Sequence, residues 1–182
     1  MYVMKLLTLD HVPALNQLLA LRMDWLAENG LPLGGESSIL MELVRLPEPE
    51  PGMLPVGMWD DKTLVAALAV QSAAPLFGWT LEERQERSLV LSLAHTLPRE
   101  PRLGTILADA LCYYAARMPV PPAWLRCTVR PRALADYLEE ACGWAKIREI
   151  GSPYGNSHHL LQRPPQLAEH MALLVRAEGG LV

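Results

Sequence analysis

SLVLSLAHTLPREPRLGTILADALCYYAAR, residues 88–117, is the stretch on which the fold turns. Ser88 to Ala94 is an apolar run of strand length without a turn residue, the pattern of a buried strand. Pro98 to Leu103 is a Pro/Arg loop. From Gly104 to Arg117 apolar residues recur at helical spacing, until Pro119, Pro121 and Pro122 forbid continuation. A strand thus feeds a short loop carrying Arg99 and Arg102, and a glycine opens the helix. The free N–H groups of a helix N-terminus, with the helix dipole behind them, suit a phosphate or pyrophosphate. Gly104 removes a Cβ that would block close approach, and the two arginines add charge. The chain has no GxxxxGK[ST] and no GxGxxG, which excludes a nucleotide P-loop and a dinucleotide fingerprint.

Upstream, Tyr2 to Leu7 reads as a strand. Asp10 is placed to cap a long helix, with Pro13 in its first turn and Asn29-Gly30 as its stop. A second helix runs from Ser37 or Ser38 through Leu46, and Pro47 to Gly52 forms a surface loop. Met53–Trp59 and Thr63–Gln71 form a hairpin about Asp60-Asp61-Lys62. Thr80, with Glu83 three residues later, is a capping box for a short turn. Downstream, Ala123–Val129 is a strand, Arg132–Ala141 a helix, and Trp144–Ile150 and Asn156–Gln162 are strands. Pro164–Glu178 reads as a terminal helix with Leu167, Met171, Leu174 and Val175 on one face. The interleaving predicts one α/β (α+β) domain over residues 1–182. Its sheet is mixed and mostly antiparallel, of about six to seven strands flanked by helices, with a core to 162 and a helical extension over 163–182.

The chain has 182 residues, 51% of them hydrophobic, enough for one sizeable core. A net charge of −4 argues against nucleic acid as a partner. No apolar run approaches the roughly 18 residues of a membrane span, and no secretory leader is visible, which together predict a cytoplasmic protein. Cys112, Cys127 and Cys142 form no CxxC pair and no zinc set, so buried, reduced thiols and no metal are expected. Charge is uneven. Residues 1–98 carry six basic and twelve acidic side chains, 99–132 six and two, and 133–182 four and six. An arginine-rich middle suits a phosphate-bearing ligand, and the acidic first half leans towards a cationic one.

In the order of its elements from residue 2 to about 162, and in motifs mostly within 88–144, the chain resembles the GCN5-related N-acetyltransferases. Their phosphate motif, Arg/Gln-x-x-Gly-x-Gly/Ala, follows the fourth strand and opens the third helix. Arg99-Glu100-Pro101-Arg102-Leu103-Gly104 matches its first and last positions, with Arg102 where the middle glycine stands. Leu93-Ala94-His95 is similar to the Leu-Ala-Val that ends the fourth strand. Leu134-Ala135-Asp136-Tyr137-Leu138 with Cys142-Gly143-Trp144 resembles Leu-x-x-Tyr-Tyr…Gly-Phe, although the tyrosine stands six rather than four residues before the glycine. Asp24-Trp25-Leu26 with Asn29-Gly30 resembles a helix-one feature of a bacterial branch.

The resemblance implies acetyl-CoA as acyl donor and a small-molecule or peptidic amine as acceptor. The pyrophosphate would rest on the N–H groups of Arg102, Leu103, Gly104 and Thr105 beside Arg99. The pantetheine would bond backbone at His95 and Leu97. Tyr137 would protonate the departing thiolate, His95 would be a base beside the thioester, and Trp25, Glu28 and Trp79 would border the acceptor. A non-catalytic relative that binds acyl-CoA is the alternative. Several residues have two readings each. Glu82, Glu83 and Glu86 line an acceptor site or solvate a turn. Trp59 shapes a pocket or packs in the core. His158-His159, adjacent in a strand, face opposite sides and share no ion. The terminal helix packs on its own chain or pairs two subunits as a homodimer.

Overall fold

A computed structural model describes residues 1–48, 52–75, 77–151 and 157–178. Eight strands form one sheet: β1 (Tyr2–Leu6), β2 (Met53–Asp60), β3 (Thr63–Gln71), β4 (Ser88–Thr96), β5 (Trp124–Val129), β6 (Ala145–Gly151), β7 (Ser157–Arg163) and β8 (Val175–Ala177). Their order is β6-β7-β5-β4-β3-β2-β1-β8. Only β4–β5 and β1–β8 are parallel. The parallel β4–β5 pair follows from the intervening helix, which carries the chain back across the sheet. Part of the loop expected at 47–52 lies outside the described residues.

The helices are α1 (Val12–Glu28), α2 (Glu36–Arg45), α3 (Leu81–Gln85), α4 (Leu103–Arg117), α5 (Arg132–Cys142) and α6 (Glu169–Leu174). Asp10 does not cap α1. It lies in a 3-10 turn over Leu9–His11, with Pro13 in the first turn of the helix that follows. Leu15, Leu18 and Leu19 of α1 are buried at the i, i+3, i+4 positions of one stripe. With Leu40, Leu43 and Val44 of α2 they cover Leu64, Ala67 and Ala69 of β3. Each buried leucine contributes roughly 1.5–3 kcal/mol. The opposite face carries α4, with Leu107, Ala108 and Leu111 against Leu68, Leu125 and Cys127. Gly143, left-handed at φ 67°, stops α5 and turns Trp144 into the core.

The C-terminus corrects the sequence expectation. Pro164–Glu178 is not one helix. Only Glu169–Leu174 is helical, and Val175–Ala177 pair in parallel with Tyr2–Met4. Met171 and Val175 are buried, but Leu167 and Leu174 are exposed. The Tyr114 hydroxyl donates to Val175 O at 2.8 Å, and Glu178 N–H to Met4 O at 2.8 Å. The reason is non-local. The edge of β1 offers unpaired N–H and C=O groups, and backbone pairing outweighs another turn of helix. The sheet therefore has eight strands, not six or seven.

The arginine-rich middle is also partly structural. Arg126 on β5 is fully buried, its guanidinium over the Trp79 ring at 4.7 Å. It donates to Glu83 O and pairs with Glu86. Glu83 closes the expected capping box on Thr80 and pairs with Arg148 at 2.5 Å. Glu83 and Glu86 thus belong to the turn that covers β5 rather than to an acceptor site. Trp59 packs in the α1–α2 core, with Lys5 over its ring at 4.6 Å.

Candidate functional site

Strand β4 carries the feature that opens the site. Against β3, Ala69 pairs with Ser92 and Ala67 with His95, so β4 has one residue more than its partner. This is a bulge, and Leu93 inside it has φ 53°. A left-handed leucine costs of order 1–3 kcal/mol and persists only where the surroundings impose it. The bulge bends β4 away from β5. Pairing between them runs from Ser88–Trp124 to Leu91–Cys127 and ends there. Beyond Leu91 the β5-facing edge of β4 has no ladder partner.

A cavity of about 530 Å3 opens at this splay. Its walls are Leu91 to Ala94 and Thr96 of β4, Leu107, Ala108 and Leu111 of α4, Thr128 and Val129 of β5, and Leu134, Tyr137 and Leu138 of α5. Arg22 and Trp25 of α1 reach it from the other face. The loop Leu97–Pro101 borders its mouth.

The N-terminus of α4 faces this mouth, with Arg102 as N-cap and no side chain capping it. Leu103 N–H bonds Glu100 O at 3.2 Å, and the first helical bond runs from Ile106 N–H to Arg102 O at 2.9 Å. Among the described residues, the N–H groups of Arg102, Gly104 and Thr105 have no backbone acceptor. Of these, Thr105 N–H faces the Tyr137 hydroxyl, and the unpaired donors of Arg102 and Gly104 at the end of a helix dipole are groups of the kind that suit an anion. The space beside Gly104 is filled by α5: a Cβ there would lie 3.0 Å from the Tyr137 hydroxyl. That hydroxyl shares a hydrogen bond of 2.9 Å with Thr105 Oγ1 and donates to Pro101 O at 3.3 Å. Burial is the first cause that raises the Tyr137 pKa, so the group stays protonated.

The expected site residues divide. Leu97, Arg99, Gly104, Tyr137 and Trp25 line the cavity. Leu97 N–H is spent on Val65 O at 2.8 Å, leaving its carbonyl as the group available to a ligand. Arg99, with φ 65°, pairs with Glu28 at 3.0 Å, and both side chains are exposed at the mouth. Leu103 is buried in the core.

His95 and Trp79 do not line the cavity. His95 shares the face of Ala67, under α1 and α2, and is 9% exposed. Burial first, then the charge of Arg22, pushes it down to about 4, and its Nε2 has no partner among the described residues. A neutral imidazole of that basicity does not hold a proton taken from an ammonium. Trp79 packs under Arg126, beside Val90 and Leu160, which removes it from any acceptor pocket. His159 is buried near Glu149, and His158 stacks on Phe77. No cluster of metal-ligating side chains occurs among the described residues. Nor is any helix among them long and apolar enough to cross a membrane. Cys112, Cys127 and Cys142 are buried free thiols, and burial raises the first to about 11 and the second to about 12.

Arg22 was not among the sequence candidates, yet it lines the cavity and lies over the Trp25 ring at 4.7 Å. Its signal was its place in α1. It stands three and four residues after Leu19 and Leu18, so a guanidinium occupies the buried stripe.

No family model matches the chain, and no curated protein matches it significantly. Solved structures do. An N-acetyltransferase from Staphylococcus aureus is 11% identical with a TM-score of 0.63, the match covering 90% of this chain and 97% of that one. An aminoglycoside N(6′)-acetyltransferase from Legionella pneumophila is 12% identical at TM-score 0.60, covering 95% of each chain. An acetyltransferase of the GNAT family from Bacillus cereus is 11% identical at TM-score 0.56, covering 91% and 99%. The bulged β4, its splay from β5 and the open helix N-terminus beside it sit in a sheet of the same architecture, and the chain has the fold of the GCN5-related N-acetyltransferases.

Proposed function

We propose that the protein is an acyl-CoA-dependent N-acyltransferase, in its simplest form an N-acetyltransferase acting on a primary amine. The splay of β4 from β5, opening at the α4 N-terminus where the N–H groups of Arg102 and Gly104 have no backbone acceptor among the described residues, carries this reading. Acetyl-CoA supplies an acyl group activated as a thioester, and the acceptor nitrogen displaces the thiol. Arg102 and Gly104 hold the pyrophosphate through backbone N–H, with Arg99 and Arg102 adding charge. The unpaired edge of β4 beyond Leu91 and the Leu97 carbonyl receive the pantetheine amides. Orientation then supplies most of the rate, because two reactants are held together in an apolar cleft.

Proton management falls outside the residues first expected to carry it. His95 is buried away from the cavity and is too weak a base. Tyr137 is tied to Thr105 and Pro101 beside the α4 N-terminus. It positions the α4 N-terminus and the donor, and water at the mouth carries the protons. The alternative, a non-catalytic acyl-CoA-binding module, draws support from one observation. Among the described residues, Glu100 is the one carboxylate on the cavity wall, and no histidine lines it.

Calorimetric titration with acetyl-CoA tests the reading, with Arg99→Ala/Gly104→Trp as control. Micromolar binding that the control loses is the expected result. Absence of binding at millimolar coenzyme overturns it. Release of coenzyme A thiol in the presence of amines separates the enzyme from the binding module.

A further inference from the structure

The cavity has two ends of different chemistry. The donor end is the α4 N-terminus, already supplied with anion-binding groups. The other end is walled by α1 on the opposite face of the sheet, and Arg22 sits there. Its side chain is half-buried, and its guanidinium is stacked over Trp25 at 4.7 Å. The indole face attracts the cation and takes none of its N–H bonds, which stay available to another acceptor. No carboxylate or carbonyl accepts from them among the described residues. Arg126, Arg148 and Arg163 each have a carboxylate, Glu86, Glu83 and Asp109 in turn, while Arg84 on α3, whose Nε also lacks a partner among the described residues, lies outside the cavity. Burial lowers the Arg22 pKa, and no carboxylate charge counters it.

The pairing of charges on the wall leaves Arg22 available. Arg22, Arg99 and Glu100 are its charged residues, and Arg99 is satisfied by Glu28 at 3.0 Å. The acidic excess of the first half of the sequence therefore does not reach this surface as a negative acceptor site. Arg22 and Glu100 remain, one cation and one carboxylate that make no ion pair with each other among the described residues. A planar, oriented, half-desolvated guanidinium matches a carboxylate, which it can bind through two parallel N–H bonds.

We propose that the acceptor is a small amino acid-type molecule carrying both an amine and a carboxylate, and that Arg22, braced by Trp25, binds the carboxylate. This rests on the acyltransferase reading, and it deepens that reading by naming the substrate class. Trp25 packs against the aliphatic part of the acceptor and excludes water from the ion pair. Arg22 is a binding residue that sets specificity, and it takes no part in proton transfer.

The experiment uses the full chain and follows thiol release from acetyl-CoA. The probes are free amino acids, including β-alanine and lysine, each paired with its carboxamide, with spermidine as a purely cationic amine. The expected result is turnover of one or more free acids, with kcat/KM for the matched amide at least tenfold lower. Arg22→Gln is expected to lower kcat/KM for the acid by roughly 10- to 100-fold, mainly through KM, the loss of a charge-assisted bond. It is expected to leave the amide within about threefold of wild type and acetyl-CoA affinity unchanged. Arg22→Lys, which keeps the charge, recovers part of the loss. Preference for amides or for spermidine overturns the proposal. So does an equal loss for acid and amide in Arg22→Gln, a loss of acetyl-CoA affinity in that variant, or silence of the whole panel while acetyl-CoA binds. Failure of acetyl-CoA to bind at all is a different result, which overturns the acyltransferase reading and this inference with it.

Discussion

His95 makes the stability of this protein depend on pH in a way that can be calculated. The folded chain holds the imidazole at about 4, against an ordinary value of 6.5. Burial under α1 and α2 is the larger cause and the Arg22 charge the smaller. Between those values the unfolded chain binds a proton that the folded chain refuses. Stability from this group is therefore complete above pH 6.5 and is lost as pH falls from 6.5 to 4. At pH 4.5 the loss relative to pH 7 comes to about 2.5 kcal/mol. That is a large share of a typical domain stability of about 5–15 kcal/mol. His95→Leu removes the titration and the unpartnered Nε2 together. The two proteins are expected to lie within about 1 kcal/mol of each other at pH 7. At pH 4.5 the variant is expected to be more stable by about 2–3 kcal/mol, or about 5–10 °C in Tm. Urea unfolding at half-unit steps from pH 4 to pH 8 measures both curves, and their difference isolates His95 from the carboxylates. Parallel curves would mean that His95 is solvated in the native state, and its placement under α1 would be wrong.

Other substitutions test the site and the frame around it. Tyr137→Phe removes the 2.9 Å bond to Thr105 and is expected to weaken acetyl-CoA binding roughly 3- to 10-fold with kcat little changed. A tenfold fall in kcat at unchanged affinity would instead restore Tyr137 as the acid on the thiolate. Glu86→Ala leaves the Arg126 guanidinium buried without its carboxylate, and a loss of about 3 kcal/mol is expected in urea unfolding. A change below about 0.5 kcal/mol would place that pair among surface contacts. Val175→Asp puts a charge at a position 1% exposed, against β1 and α4. It is expected to destabilise by about 3 kcal/mol, while acetyl-CoA binding to the folded fraction survives, because the proposed donor site lies at the other end of α4. An unaltered urea midpoint would remove β8 from the sheet.

The sequence determined what short-range chemistry controls. The Thr80 capping box, the Asp60-Asp61-Lys62 turn and the glycine after α5 each act within a few residues. The elements they bound came out where they were expected. The α1 leucines declared their burial by period, whereas of the run 88–94 only Ser88 and Val90 are buried, because from Leu91 onward the strand lines the cavity. The loop before α4 was legible as a strand-to-helix junction with open N–H groups because those donors belong to one helix end. What a side chain faces across the sheet was not legible. His95 became a buried, weakly basic group and not a base because a bulge sets which face of β4 it occupies. Arg126 became a core ion pair and not part of a basic surface because the loop between β3 and β4 folds over β5. That Arg22 makes no ion pair among the described residues is a property of the whole packed neighbourhood. Residues 175–177 left a helical pattern for a strand because the edge of β1, more than 170 residues earlier, offered them hydrogen bonds. Local propensity differs by less than about 1 kcal/mol per residue between the two states, so contacts between distant parts of the chain decide wherever they are made.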